Sequence, residues 1–188
     1  SRRRHTRFRN VTGVQTCALP ISDRMTVGAW RCTWSGESAG FAQLEVGTDR
    51  AAFGCYLLDV PGYPGVIVVR DDDVPRPRQG LEIRAEGLWT EWWCGEPGAH
   101  WTLACEAFGL RLDAAAEAWP PGREIGERLP VGFDLEWEAG PAPPVGTVLG
   151  EVLVGTARIP IEAPGEFLLG APGADPDAPG VWLAARAG

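Results

Sequence analysis

Lysine is absent from this chain of 188 residues: all 17 basic side chains are arginine. That bias points to GC-rich coding and says nothing of chemistry. Histidine is almost as scarce, with only His5 and His100. No apolar run approaches the roughly 20 residues that a membrane-spanning helix needs, so no membrane span is expected. GESAG (residues 36–40) has the GxSxG spacing but lies between two alternating, strand-like segments and not ahead of a helix, so it is no nucleophile elbow, and the chain has no glycine-rich phosphate loop ahead of a helix and no HExxH motif. Hydrolase triads and nucleotide chemistry are therefore unsupported, and no cofactor is expected. Cys17, Cys32, Cys55, Cys94 and Cys105 lie at irregular spacings without a CxxC, which argues against a zinc site and against a regular disulfide framework. They read as reduced, semi-buried thiols of a cytoplasmic protein.

What is abundant is punctuation. With 25 glycines and 17 prolines the chain breaks too often for long helices, and 45% hydrophobic residues suffice for one core. Charge is uneven. Arg2, Arg3, Arg4, Arg7, Arg9 and Arg24 precede Met25 with one acid, Asp23, so beyond residue 24 eleven arginines face 24 acids, a net of −13. So acidic a body repels phosphate backbones and anionic surfaces, and no nucleic-acid partner is expected.

Residues 1–24 are basic like a targeting peptide. However, the run VTGVQTCALPIS (residues 11–22) resembles translated sequencing-adapter read-through, which makes 1–24 non-native or disordered and starts native sequence near Met25. From there the pattern predicts one β-domain over 25–170. A short alternation at Trp30, Cys32 and Trp34 is followed by strands over 41–46 and 51–59. In the second of these, Phe53, Cys55 and Leu57 fall on one face and Tyr56 and Leu58 on the other, so the strand is expected to be covered on both faces. Val66 to Arg70 is a β-branched return strand. Asp71, Asp72 and Asp73 invite a calcium reading, but Val74, Pro75 and Pro77 follow instead of alternating ligands and a glycine turn. A solvated strand end, balanced by Arg76 and Arg78, is the expectation, and no metal site is assigned. Ala114 to Trp119 reads as a short helical turn stopped by prolines. Phe133, Leu135 and Trp137 alternate inward with Asp134, Glu136 and Glu138 outward, and a last hairpin spans 148–162. Residues 171–188 contain too little apolar surface for an element and read as a disordered or truncated tail.

The stretch from Leu81 to Asp113 carries four of the nine tryptophans. It reads as two long strands around a loop at Gly95 to Gly98, pairing Trp93 with His100, Glu91 with Thr102, Trp89 with Ala104 and Gly87 with Glu106. Polar Glu91, His100, Thr102 and Glu106 then share a face with Trp89 and Trp93, the composition of a cavity lining in a barrel or strongly curved sheet. In that register Glu91 and His100 are diagonal neighbours at about 7–8 Å, a candidate general acid/base pair. Trp89, Trp93, Thr102 and Glu106 are the candidate ligand-binding residues. The alternative is a solvated hairpin tip with no chemistry. Glu91 and Glu106 also suggest a glycosidase, but this register sets them roughly 13 Å apart along the strands, beyond the usual carboxylate spacing. A slip of one residue would reverse every face.

Glu82 to Asp113, with GLW, the following cysteine, proline and HW, together with VGFDLEWEA (131–139) and GEVLVGTARIPIEAPG (150–165), resembles a group of bacterial proteins. That group is similar to the lipocalin-like superfamily that includes carotenoid hydratases, built from two consecutive antiparallel β-domains. The resemblance covers about one such domain, residues 28–165, and implies a fragment that lacks a second β-domain. It departs from the pattern after GLW, where Glu91 is followed by Trp92, and after the APG turn. The expected fold is all-β, an antiparallel lipocalin-like barrel. The expected function is binding, with or without hydration or isomerisation, of an apolar small molecule such as an isoprenoid, steroid or polyketide. A carbohydrate-binding module and a non-catalytic structural half are the alternatives.

Overall fold

Most of the short period-two segments between glycine and proline turns have one apolar face to bury, and here they bury it by wrapping into a ring. The computed structural model describes residues 27–121 and 124–186; the segment 1–24 lies outside the described residues. Ten strands follow in order: β1 (Gly28–Ser35), β2 (Ala39–Val46), β3 (Arg50–Val60), β4 (Tyr63–Pro75), β5 (Leu81–Ala85), β6 (Leu88–Glu96), β7 (His100–Leu112), β8 (Glu127–Ala139), β9 (Val145–Val154) and β10 (Ala157–Gly170). A 3-10 turn at Ala115–Ala118 stands where the short helical turn was expected, and the helix α1 (Ala178–Arg186) ends the described chain. The fold is all-β.

Every ladder is antiparallel, and nearly every strand pairs with its sequence neighbours. Two long-range pairings close the ring. Strand β1 joins β10, with Cys32 opposite Phe167, and β4 joins the far end of β7, with Val68 opposite Leu110. The 13-residue β7 thus serves two partners on one edge, taking β6 along residues 100–107 and β4 along 110–112.

The ring is filled by side chains. Trp92, Trp101 and Trp137 gather around Phe167, with ring centroids at 6.1, 4.7 and 5.5 Å, and Trp30, Trp34, Leu103 and Leu135 belong to the same core. Strand β3 is covered on both faces, as its pattern requires. Phe53, Cys55 and Leu57 enter the interior, whereas Tyr56 and Leu58 join an outer cluster with Phe41, Val66, Val68 and Leu112.

That outer cluster corrects the reading of 171–188 as a tail without an element. Helix α1 lies over it, burying Ala178 and Leu183 and setting Trp182 5.7 Å from Phe41. The few apolar residues there are enough because the opposite surface, the outer wall of β2 to β4, is itself apolar. The aspartates after Arg70 also lie inside β4 and not at a strand end. Asp72 pairs with Arg70 at 2.7 Å and Asp73 with Arg50 at 2.5 Å, so β3 and β4 themselves supply counter-charge alongside any from Arg76.

One buried polar side chain in the core went unnoticed in the sequence. Thr90 is fully buried, donating its hydroxyl to the Ala104 carbonyl at 2.8 Å and accepting the Trp92 indole N–H at 3.0 Å. Thr90→Val keeps the shape and strands the indole donor, so it is expected to lose about 1–3 kcal/mol in urea unfolding, with Thr90→Ser losing less. A valine variant as stable as the wild type would remove this role.

Candidate functional site

The hairpin from Leu81 to Asp113 is three strands, not two. Gly87, at φ +75°, turns the chain back at Glu86–Gly87, so β5 pairs with β6 instead of extending along β7. Continued past Gly87, a two-strand hairpin would set Ala85 opposite Phe108, Ile83 opposite Leu110 and Leu81 opposite Leu112, and that ladder does not form. Ala85 faces Leu88, Ile83 faces Thr90 and Leu81 faces Trp92.

The tip is also shorter than expected. Glu96 pairs with His100 around Pro97, Gly98 and Ala99, with an irregularity at Gly95, and the β6–β7 register moves by two residues. Trp93 now faces Thr102, Glu91 faces Ala104 and Trp89 faces Glu106. A two-residue shift preserves faces, so Trp89, Glu91, Trp93, Thr102 and Glu106 still share one. It does exchange neighbours. Glu91 gains Glu106 as its diagonal neighbour at about 7–8 Å and is separated from His100 by four residues of β7, about 13 Å.

The shared face is the outer wall of the barrel. Its opposite, with Leu88, Thr90, Trp92, Trp101, Leu103 and Cys105, is buried in the interior. With the ring closed, the inward set is the more continuously apolar of the two, and the mixed set meets water. Trp93 is 58% exposed. Glu91 and Glu106 are exposed, and Trp89, His100 and Thr102 are half-buried. His100 lies 3.7 Å by its Nε2 from Glu136 on β8, so the imidazole's acidic neighbour is not Glu91.

Part of this wall is concave. A groove of about 1030 Å³ runs from β5 to β9, with Trp89, Phe108, Pro130 and Leu153 as apolar walls and Glu106 and Asp134 as polar groups. Trp89 is held in place by its indole N–H, which donates to Glu82 at 3.0 Å, while Arg84 holds the same carboxylate at 2.5 Å. These two hydrogen bonds, the indole's first, keep the Glu82 carboxyl below its usual range. Gly132 sits opposite Glu106 and deepens the floor; a Cβ there would come within 3.0 Å of the Cys105 carbonyl oxygen. Phe108 is 54% exposed under the Arg128 guanidinium, 4.4 Å from the ring centroid. Trp89 and Glu106 are the candidate ligand-binding residues that line this groove, and alternation sets Gly87 and Phe108 on their face. Phe108, Pro130 and Leu153 become neighbours through the β7–β8 and β8–β9 ladders, and the signal that could have flagged them is Gly132 within an otherwise alternating strand.

Among the described residues no group of three or more His, Cys, Asp or Glu side chains is arranged to hold a metal ion. Cys32, Cys55, Cys94 and Cys105 are free thiols. Burial pushes Cys32 up to about 12 and raises Cys55 and Cys105 as well, which keeps these interior sulfurs protonated and unreactive. No described helix is long and apolar enough to cross a membrane. The chain matches no protein-family model, and no curated protein or solved structure is significantly similar to it.

Proposed function

We propose that this protein binds an apolar small molecule, of the isoprenoid, steroid or polyketide kind, in the outer groove between Trp89 and Phe108. The carrying observation is that a filled interior directs binding to the outer wall, where two aromatic side chains flank a glycine-floored hollow. Pockets of several hundred Å³ with apolar walls and a few polar groups suit such ligands. The lipocalin-like resemblance agrees with an all-β antiparallel ring, and four free cysteines agree with a reducing, cytoplasmic setting. A second β-domain docking beside the groove is the partner that the resemblance suggests. Binding is the function assigned. Hydration or isomerisation by Glu91 with His100 would need both groups on one substrate atom, and about 13 Å of strand lies between them.

Titration with the neutral dye Nile red, followed by its fluorescence, tests this. Trp89→Ala is expected to weaken dye binding roughly tenfold through loss of one aromatic wall. Binding that is unchanged in Trp89→Ala and in Phe108→Ser would overturn the assignment.

A second reading, carbohydrate binding, is favoured by one observation. Trp93 stands exposed beside Glu91 on the same wall, outside any core. It predicts that soluble oligosaccharides quench tryptophan fluorescence and that Trp93→Ala abolishes the quenching, whereas the dye titration would respond to Trp89.

A further inference from the structure

A second, smaller pocket opens beneath the segment that follows β10. It measures about 170 Å³ and lies on the outer wall of β2 to β4, walled by Phe41, Tyr56 and Trp119 and roofed by Gly173, Pro176 and Pro179. The roof is tied down at three places. The Gly173 amide donates to Glu45 at 3.0 Å, Arg31 pairs with Asp175 at 2.9 Å, and Ala178 and Leu183 of α1 are buried on the outer cluster.

The polar groups in this pocket are nearly all satisfied by one another. Arg70 donates to Asp72 at 2.7 Å and to the Tyr56 hydroxyl oxygen at 3.2 Å, and its guanidinium lies 5.3 Å from the Trp119 ring centroid. Gln43 donates to Glu45. The exception is the Tyr56 hydroxyl proton. Tyr56 is only 1% exposed, and its oxygen accepts from Arg70 but donates to no acceptor among the described residues. Burial, opposed by Arg70, raises its pKa and keeps that proton in place. The hydroxyl oxygen is satisfied by Arg70, so what it has left to offer a ligand is one donated hydrogen bond.

Size and charge define the partner. A cavity of roughly 150 Å³ holds a benzene ring, so this one takes a single six-membered ring. The T-shaped Phe41–Tyr56 pair, with centroids 5.9 Å apart, supplies an aromatic wall for it. Asp72 already neutralises Arg70, and Glu45 adds a further negative charge to the lining, which disfavours a carboxylate. We propose that this pocket binds a single-ring aromatic molecule bearing a neutral carbonyl, whose oxygen accepts the Tyr56 hydroxyl proton. The site is separate from the groove at Trp89 and does not depend on it.

Benzamide, benzoate and toluene, each titrated into the full chain and followed by amide chemical shifts, test the proposal. Benzamide is expected to bind several-fold more tightly than either of the others and to shift the amides of Gly54, Tyr56 and Gly173. Tyr56→Phe should lower benzamide affinity about fivefold, the worth of one hydrogen bond, and leave toluene unaffected. Trp89→Ala should leave all three unaffected, which separates this site from the groove. Absence of benzamide binding, equal binding of benzoate, or shifts confined to other surfaces overturns the proposal. If Tyr56→Phe does not fold, the wild-type shift map and the benzamide-to-benzoate ratio decide it.

Discussion

Replacing Phe167 with alanine is expected to destabilise the barrel by about 3–5 kcal/mol, the usual range for emptying a buried aromatic site. Phe167 stacks on Trp101 at 4.7 Å and touches Trp92 and Trp137, so its loss leaves three indoles facing one void. It also lies opposite Cys32 in the β1–β10 ladder that closes the ring. Because these rigid rings belong to three other strands, the surroundings have little freedom to collapse into the space. At roughly 2–4 °C per kcal/mol for a domain of this size, the melting temperature should fall by about 10 °C. Leu169, two residues along the same strand and 62% exposed, is the control, and Leu169→Ala should be nearly neutral. A drop for Phe167→Ala no larger than that for Leu169→Ala would contradict the role given to this ring.

The second large effect is expected at Gly150, in the middle of β9. Its φ of +136° is a conformation that side-chain-bearing residues rarely adopt, and a Cβ there would lie 2.1 Å from the Asp134 carbonyl oxygen and 2.9 Å from the Leu135 Cα. The obstruction is backbone, which cannot rotate away. Gly150→Ala must therefore separate β8 from β9 around the Leu135 pairing or strain both strands. The expected loss is about 3 kcal/mol or more, combining backbone strain with overpacking. Urea unfolding measures it, and hydrogen exchange should localise the change to β8 and β9. Gly170→Ala, where nothing lies within 4 Å of the added carbon, is expected to change stability by less than about 0.5 kcal/mol. Equal effects at the two glycines would refute this account.

Much of the architecture could be read from period two alone. The outward Asp134, Glu136 and Glu138 against inward Phe133, Leu135 and Trp137 hold without change, as does the double-faced β3, whose Tyr56 and Leu58 announced a second covered surface. Helix α1 is not legible in the sequence for a related reason. Leu183 and Trp182 are too few to signal a helix by themselves, and their partner surface is 120 residues or more earlier in the chain, at Phe41 and Tyr56.

The candidate site was legible in part. That Trp89, Glu91, Trp93, Thr102 and Glu106 share one face followed from alternation, and a register shift of two residues could not disturb it. Who sits beside whom was not legible, because it depends on the length of a loop at Pro97 to Ala99 and on one turn at Gly87. Side-chain alternation is a local property of the strand backbone, so sequence alone determined which residues travel together. Which of the two faces looks inward was decided by closure of β1 on β10 and of β4 on β7, since burial is a property of the whole ring and no single strand carries it. The groove at Trp89 and the pocket at Tyr56 likewise join residues distant in sequence: the first forms where β5 to β9 lie side by side, the second where the segment after β10 docks on the wall of β2 to β4.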